Sequence, residues 1–339
     1  MNNVSLAVKY RPTTFDDVVE QKYIIKILQN QIQSNNIRNA YLFCGPAGDG
    51  KTTCARIFAN EINKGIGTPI EMDAASNNSI EDVRRLNIQA QMKSLAGEYK
   101  IFILDECHAL SNSAWQAMLK LIEEPPAKTM FIFCTTDPQK IPKTILSRVQ
   151  RFNFQRVTYE GILERLRFVC KQEQLTTIED GALQYIAKYA NGGMRDALTY
   201  LDKVLSYSSD ITVENVVKAL GLISYDDLLN LTVKFSNEQT ADLIAQIERM
   251  YIEGIDLKFL IKSWLLFVLD IKKYQMIKNT TYVSIPTAYI SDICNIAEIS
   301  EGLLMDLLVA LMKLNDELKY EADPKSRIEC ELIVLNEVI

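Results

Sequence analysis

Short apolar runs alternate with amphipathic stretches from the start of the chain to about Arg156. Four of these runs have the length and composition of strands: Ala40 to Cys44, Ile70 to Asp73, Lys100 to Leu104 and Met130 to Cys134. Stretches with apolar residues at helical spacing lie between them. This alternation predicts an α/β domain, in which a parallel sheet carries helices on its faces.

After Arg156 the helical spacing takes over. One stripe of leucines, typical of a core or of a subunit contact, runs through Gly302 to Leu318. The turn Asn191 to Gly193 predicts a helix stop before a new helix near Met194, and Gly221 predicts another boundary. The change of pattern at Arg156 and the boundary near Gly221 fit a chain of two or three domains. The leucines of the stripe are Leu304, Leu307, Leu308, Leu311, Leu314 and Leu318.

The segment Gly45 to Thr52 fits the pattern G-x-x-x-x-G-K-T between the first predicted strand and a helix-like run, Thr53 to Ile62. A strand, a glycine-rich turn and a helix start aim backbone N–H groups at one point, where phosphates bind. Lys51 is expected to reach the β- and γ-phosphates, and the Thr52 hydroxyl is expected on Mg²⁺. The predicted nucleotide site comprises Gly45, Pro46, Ala47, Gly48, Asp49, Gly50, Lys51, Thr52 and Thr53.

Polar side chains follow the third and the fourth predicted strand. Asp105 and Glu106 end an apolar run, and the carboxyl ends of parallel strands face the ligand crevice. We expect Asp105 to hold Mg²⁺ through its water shell and Glu106 to act as general base on the attacking water. A solvated acidic turn is the alternative. The next apolar run ends in Thr135, Thr136 and Asp137, where a threonine hydroxyl would be placed to bind the water or the γ-phosphate, although threonines also cap strand ends. His108 is given a structural role.

Arginines and lysines are unevenly distributed. The formal net charge of -6 argues against a uniformly basic nucleic-acid binder. Residues 139–156 nevertheless contain several bases and no acid, which indicates a solvated face or an anion-binding surface. Taken by pattern alone, Arg148 and Arg195 are arginines at helix ends, and most such residues are surface cations.

Composition argues against several other classes of protein, among them zinc-binding and membrane-spanning proteins. A chain of 339 residues, 48% hydrophobic and 24% charged, is typical of a soluble protein of two or three domains. Seven scattered cysteines with no C-x-x-C pair, and one histidine, argue against structural zinc and favour a reducing compartment. The apolar stretch Ser263 to Leu269 is far shorter than the ~20 residues that cross a bilayer. With no signal peptide at the start, we predict a cytoplasmic protein without membrane contact.

Several strings, in order along the chain, resemble the ATPase subunit (tau/gamma) family of the bacterial DNA polymerase III clamp loader, which are AAA+ proteins. The resemblance implies a RecA-like ATPase domain over residues 1–156, a helical lid over 157–220 and an all-α collar over 221–339 that joins five subunits in a ring. The strings are Tyr10-Arg11-Pro12, Phe15 to Val19, the P-loop, Ile70 to Ser76, Asp105-Glu106, Leu119 to Pro126, Thr135 to Lys140, Ile145 to Arg148, and Gly193 to Leu198.

The resemblance also assigns roles. It implies that Thr136 is sensor 1, that Arg195 is sensor 2, and that Arg148 is an arginine finger acting on ATP held by the neighbouring subunit. The adenine pocket would be lined by Tyr10, Arg11, Pro12, Val18 and Val19. The implied ligands are ATP and Mg²⁺. Zinc is not implied, because the connection Lys64 to Pro69 lacks the family's cysteine module.

The implied function is that of an ATP-driven subunit that opens a sliding clamp and places it on primed DNA. Its partners would be the other clamp-loader subunits, the clamp, and primer–template DNA held by backbone contacts, with Arg84, Arg85 and Lys140 as candidates. A non-hydrolysing loader subunit is one alternative, against which the P-loop lysine and the acids argue. Another AAA+ motor, such as a branch-migration helicase, is the second.

Besides the missing cysteine module, two departures from the family pattern follow from the residues. Glu20 stands where the family usually has glycine, and we expect it to alter the turn at the nucleotide pocket. Val149 stands where cysteine usually follows the Ser-Arg pair, and we expect it to change packing only. We also expect the chain to lack the polymerase- and helicase-binding tail of the long family form.

Overall fold

The structure is a computed structural model that describes residues 4–92, 97–279, 289–299 and 301–338. The chain divides into two compact units. Unit 1 comprises Met1–Thr176 with Ile186–Leu205, and unit 2 comprises Thr177–Tyr185 with Ser206–Ile339. The three predicted domains and their boundaries at 156/157 and 220/221 stay a prediction.

Unit 1 contains a five-stranded parallel sheet. Its strands are β1 (Ala40–Cys44), β2 (Ile70–Asp73), β3 (Lys100–Asp105), β4 (Thr129–Thr135) and β5 (Gln150–Asn153), in the order β2-β3-β4-β1-β5. The register pairs Cys44 of β1 with Thr135 of β4, and Asp73 of β2 with Asp105 of β3. The parallel α/β prediction is confirmed. Two of the four predicted strands have the observed bounds, whereas β3 extends to Asp105 and β4 runs from Thr129 to Thr135.

The prediction missed β5. This strand pairs with β1 at the edge of the sheet, and only Phe152 of its four residues is buried. Its other side chains are polar, so the strand carries no apolar run of the kind that identifies a central parallel strand.

The helices are α1 (Leu6–Lys9), α2 (Lys22–Gln33), α3 (Lys51–Ile62), α4 (Ile80–Gln91), α5 (Asn112–Glu123), α6 (Lys143–Leu146), α7 (Tyr159–Gln172), α8 (Asp180–Tyr189), α9 (Met194–Tyr207), α10 (Val213–Leu220), α11 (Tyr225–Ser236), α12 (Thr240–Ile252), α13 (Leu257–Ile277), α14 (Ile290–Ile299), α15 (Glu301–Glu317) and α16 (Pro324–Val338). The predicted stop at Asn191 to Gly193 and the new helix at Met194 are confirmed, and α10 ends at Leu220 with Gly221 as its C-cap residue. No helix among the described residues is both long and apolar enough to span a membrane.

The sheet is covered on both faces, which explains why its central strands are apolar without interruption. In β1, Leu42 and Cys44 pack into the cluster that includes α5, whereas Tyr41 and Phe43 pack into the cluster that includes α2 and α3. Successive side chains of a strand point to opposite faces, so one strand serves both layers. The rigid sheet places the ends of β1, β3 and β4 side by side.

Unit 2 has an all-helical core. The leucine stripe of α15 is buried in one cluster with side chains of α11 to α14 and α16, so the prediction of a core stripe is confirmed. Trp264 of α13 is fully buried there, and its Nε1 donates a hydrogen bond to Thr232 Oγ1 at 2.9 Å. Thr232 in turn donates to the Leu228 carbonyl, 2.8 Å away. These polar groups are satisfied within the core.

Candidate nucleotide site

The P-loop joins the end of β1 to the start of α3. Gly48 (φ +76°) and Gly50 (φ +93°) both adopt left-handed backbone, which glycine tolerates at little steric cost. A Cβ at residue 48 would lie 3.2 Å from the Gly193 Cα, and the Gly48 carbonyl accepts a hydrogen bond from the Met194 N–H. The loop therefore needs glycine both for its curvature and for its close approach to the start of α9.

Lys51 lies beneath this loop and is only 5% exposed. Its ammonium donates to the Gly45 carbonyl at 2.8 Å, to the Pro46 carbonyl at 2.5 Å and to Asp49 Oδ1 at 3.0 Å. Asp49 is 3% exposed. Burial raises the pKa of the Asp49 carboxyl, and the charge of Lys51 offsets part of that rise. A buried cation is thus held at the helix start, where anions are attracted.

The side chains of Thr52 and Asp105 are hydrogen-bonded to each other at the carboxyl end of β3. The Thr52 hydroxyl, in the first turn of α3, donates to Asp105 Oδ2 at 2.8 Å. Both residues line the same cavity as Lys51. A hydroxyl and a carboxylate are the oxygen donors that Mg²⁺ takes from proteins while it keeps several waters. This donor pair fits a magnesium ion bound together with phosphate oxygens.

Glu106 follows Asp105 in an uncommon conformation. Its φ of +46° is left-handed, a region that costs a non-glycine residue energy and that is often found at functional turns. Its carboxylate Oε2 accepts a hydrogen bond from Thr136 Oγ1 at 3.0 Å, and His108 Nδ1 lies 3.3 Å from the same oxygen. Residues from the ends of two neighbouring strands therefore hold this carboxylate at the edge of the cavity.

The opposite wall comes from the N-terminal segment and from α7 and α9. Arg165 Nη2 donates to the Tyr10 carbonyl at 2.8 Å, which ties the segment to α7. Arg195 also reaches the cavity from the first turn of α9. The predicted residues that line the cavity are Tyr10, Arg11, Pro12, Val18, Val19, Ala47, Gly48, Asp49, Gly50, Lys51, Thr52, Thr53, Asp105, Glu106 and Arg195.

Sequence reasoning missed five further lining residues: Ala7, Val157, Arg165, Met194 and Leu198. Met194 and Leu198 flank Arg195 in the same motif, and their helical spacing could have identified them. Ala7, Val157 and Arg165 belong to no motif, and they reach the cavity only through the tertiary fold.

Glu20, which stands where the family usually has glycine, is hydrogen-bonded to Thr158 at the start of α7. Its φ is +61°, and both of its carboxylate oxygens accept from the Thr158 N–H at 3.2 Å. Oε1 also accepts from the Thr158 hydroxyl. The neighbouring Gln21 side chain donates to the Gln155 carbonyl at 2.6 Å and accepts from the Gln155 N–H. The turn next to Val18 and Val19 is thereby fixed to the chain that enters α7.

Five other predicted residues are not among the described residues that line this cavity. Gly45 and Pro46 of the P-loop are two of them, and their carbonyl oxygens accept hydrogen bonds from Lys51. Thr136, Arg148 and Lys140 are the other three. Thr136 contacts it only through Glu106. Arg148, just after α6, pairs with Glu123 at 2.7 Å and donates to the Thr144 carbonyl at 2.9 Å, with 40% of its side chain exposed. Lys140 is exposed and pairs with Asp137 at 3.2 Å. The remaining DNA candidates, Arg84 and Arg85, are exposed on α4.

A parallel sheet with the P-loop after β1 and an acidic pair at the carboxyl end of β3 defines a P-loop nucleotide-binding protein of the AAA+ class. The Holliday junction branch migration motor RuvB of Thermotoga maritima is similar in fold, with a TM-score of 0.53 at 20% identity over 70% of this chain and 85% of that one. A second RuvB structure, the K64R mutant, gives a TM-score of 0.54 at 19% identity. At this identity the likeness shows the fold alone.

The chain belongs to the tau/gamma family of DNA polymerase III clamp-loader subunits. It is 31% identical to DNA polymerase III subunit gamma of Buchnera aphidicola subsp. Schizaphis graminum, over 98% of both chains. It is 35% identical to subunit tau of Bacillus subtilis (strain 168), over 96% of this chain and 62% of that protein, and 35% identical to subunit tau of Escherichia coli K12, over 77% and 44%. The chain thus spans 62% and 44% of the length of these two tau subunits, less than two thirds of each.

Two family models match within the chain. The model described as DNA polymerase III, delta subunit, matches residues 68–158. The model described as DNA polymerase III clamp loader subunit, ATPase lid domain, matches residues 161–210. The second match covers α7, α8 and α9, and α9 supplies Arg195 to the cavity.

Proposed function

We propose that this chain is an ATPase subunit of the DNA polymerase III clamp loader, which uses ATP binding and hydrolysis to open the sliding clamp and load it on primed DNA. One observation carries the proposal: a single cavity brings together the Lys51 ammonium, the Thr52–Asp105 pair and the Glu106 carboxylate. These are the groups that phosphoryl transfer from a nucleotide needs. We further propose that residues 1–156, 157–220 and 221–339 serve as ATPase domain, lid and collar.

In this proposal the nucleotide phosphates bind the P-loop amides and Lys51. Thr52 and Asp105 would hold Mg²⁺, which neutralises charge on the phosphate oxygens when bound. Glu106 orients the attacking water and accepts its proton, and Thr136 positions that carboxylate through the hydrogen bond at 3.0 Å. Tyr10, Arg11, Pro12, Val18 and Val19 enclose the adenine, and Arg195 contacts the phosphates from α9.

Arg148 is assigned to the neighbouring subunit's site. Its exposed guanidinium, fixed by Glu123, lies outside this chain's own cavity among the described residues, which suits a cation donated to another subunit. Charge that develops on the transferred phosphate needs such a cation. Hydrolysis then depends on assembly, and one chain alone is expected to be a slow ATPase. The proposed assembly is a five-subunit ring with the other clamp-loader subunits.

The remaining partners are a sliding clamp and primer–template DNA. DNA is proposed to be held by contacts to its phosphates, for which Arg84, Arg85 and Lys140 offer exposed cations. The cytoplasmic location and the absence of zinc stay predictions.

The decisive experiment measures ATP hydrolysis by the reconstituted complex with and without primer–template DNA and a cognate clamp. We expect the rate to rise only when both are present. Stimulation by DNA alone, together with strand separation, would favour another motor. Unchanged turnover in a complex whose other subunits carry inactivated P-loops would confirm that this chain hydrolyses ATP, and complete loss would make it a non-hydrolysing subunit.

A further inference from the structure

Asp49 places a carboxylate inside a loop whose proposed role is to bind anions. The Asp49 and Lys51 side chains are 1% and 6% exposed, and Asp49 Oδ1 lies 3.0 Å from Lys51 Nζ. The same ammonium donates to the carbonyl oxygens of Gly45 and Pro46. An ammonium has three donor hydrogens, and these contacts use all of them. A phosphate oxygen that is to bind Lys51 must therefore displace one of the present acceptors.

The second carboxylate oxygen shows how closely Asp49 is packed into the loop. Asp49 Oδ2 is buried and has no hydrogen-bond partner among the residues that the structure describes. A Cβ built on Gly45 would lie 2.2 Å from this oxygen, so glycine at position 45 makes room for it. A buried carboxylate is normally stabilised by several donors. Here Lys51 is its main partner, and the carboxylate in turn neutralises Lys51.

We propose that Asp49 is a positioning residue that holds Lys51 back from the phosphates and thereby sets a low affinity for nucleoside triphosphates. Two effects act in the same direction. The carboxylate competes with phosphate oxygens for Lys51, and its charge repels those oxygens at short range in a poorly solvated site. The inference rests on the proposed nucleotide-binding function and adds to it a residue that lowers the affinity for the nucleotide. If Asp49 instead directed Lys51 toward the phosphates, its removal would weaken binding.

The test compares Asp49→Asn with the wild-type full-length chain by calorimetric titration with ATP and with ADP. Asparagine keeps the shape and can still accept from Lys51, but it carries no charge. We expect ATP to bind about tenfold more tightly, which corresponds to about 1.4 kcal/mol. The gain for ADP should be smaller, because fewer phosphate charges approach Lys51.

The matched control is Glu61→Gln. Glu61 is exposed and lies near the end of α3, the helix that begins at Lys51, so this variant removes the same charge far from the loop. Its affinity for both nucleotides should equal that of the wild type. Tighter binding by this control as well would assign the effect to net charge and overturn the inference.

Stability provides an independent readout, because loss of one member of a buried ion pair is destabilising. Without nucleotide, Asp49→Asn should melt at a lower temperature than the wild type, and saturating ATP should raise its Tm by more. If Asp49→Asn does not fold, the same measurements are made on Asp49→Ser, whose side chain is smaller and also neutral. A folded variant that binds ATP with wild-type or lower affinity would overturn the inference and leave the nucleotide site intact. Absence of ATP binding by the wild type would instead overturn the proposed function itself.

Discussion

Unit 1 and unit 2 bury polar groups in different ways. In unit 1 the buried Lys51 and Asp49 and the left-handed Glu106 converge on one cavity, and the three residues line that cavity rather than filling an apolar cluster. In unit 2, Trp264 and Thr232 satisfy each other inside an apolar cluster. The difference indicates where substitutions should change ligand binding and where they should change stability.

The chain itself permits separate measurements of the two units. It contains two tryptophans, Trp115 and Trp264, and each is at most 3% exposed. Trp115 belongs to unit 1 and Trp264 to unit 2. A Trp264→Phe background therefore reports unfolding of unit 1 by fluorescence, and a Trp115→Phe background reports unfolding of unit 2.

The largest effect is expected for Lys51→Ala. Loss of the buried ammonium removes the positive charge from the P-loop, where the phosphates are proposed to bind, so ATP binding by the isolated chain should be abolished. Calorimetric titration measures it. Since Asp49 is left without its cation in this variant, the double variant Asp49→Ala/Lys51→Ala serves as the folding control. Retained ATP affinity in a folded Lys51→Ala chain would contradict the P-loop assignment.

Glu106→Gln should separate binding from turnover. The amide cannot accept the proton of the attacking water, so we expect hydrolysis in the assembled complex to fall by about 10²- to 10⁴-fold, while ATP still binds. Thr136→Val is the informative companion, because it removes the hydroxyl that donates to this carboxylate at 3.0 Å and should reduce the rate by less. Normal turnover by Glu106→Gln would mean that another group is the base.

Arg148→Ala should act only in the assembly. We expect hydrolysis by the reconstituted complex to slow by up to ~10³-fold, the scale of arginine fingers in other enzymes, with ATP affinity of the isolated chain unchanged. Lys143→Ala, which removes an exposed cation from the neighbouring α6, is the matched control and should have little effect. Equal rates for Arg148→Ala and wild type would exclude the proposed role.

Leu311→Ala tests whether a substitution in the core of unit 2 changes stability without changing ATP binding. Leu311 is fully buried in unit 2, and such truncations destabilise by about 2–5 kcal/mol because they remove buried surface and leave a cavity. Denaturant unfolding followed at Trp264 should show this loss, whereas ATP affinity should not change. Met312→Ala, one residue along the helix and 55% exposed, should stay within about 0.5 kcal/mol of the wild type. A large drop in ATP affinity in folded Leu311→Ala would contradict the separation of the units.

Within unit 1, the elements differ in how far the sequence predicts them. The parallel sheet and the P-loop position follow from local patterns, because central strands buried on both faces are uninterrupted apolar runs. The edge strand β5 did not follow, since its pairing with β1 is a tertiary interaction of mostly polar residues. Arg165 could not be assigned to the cavity either, because α7 brings it to Tyr10 only in the folded chain. Likewise the motif identifies Asp49 as a loop residue, and only the structure shows that it neutralises Lys51.

The smallest effect is expected for Glu20→Gln, which removes a charge from the turn beside Val18 and Val19. The Glu20 carboxylate accepts from the Thr158 N–H at the start of α7, where a negative charge is favoured by the helix dipole by about 0.3–1 kcal/mol. Unfolding of unit 1, followed at Trp115, should show a loss of this size, and ATP affinity should fall by less than about threefold, the ratio that 0.7 kcal/mol represents. Glu164→Gln, an exposed position further along α7, should be neutral. If Glu20→Gln matched the wild type in both measurements, the connection between the turn beside Val18 and Val19 and the start of α7 would depend on the neutral Gln21–Gln155 hydrogen bonds rather than on the Glu20 charge.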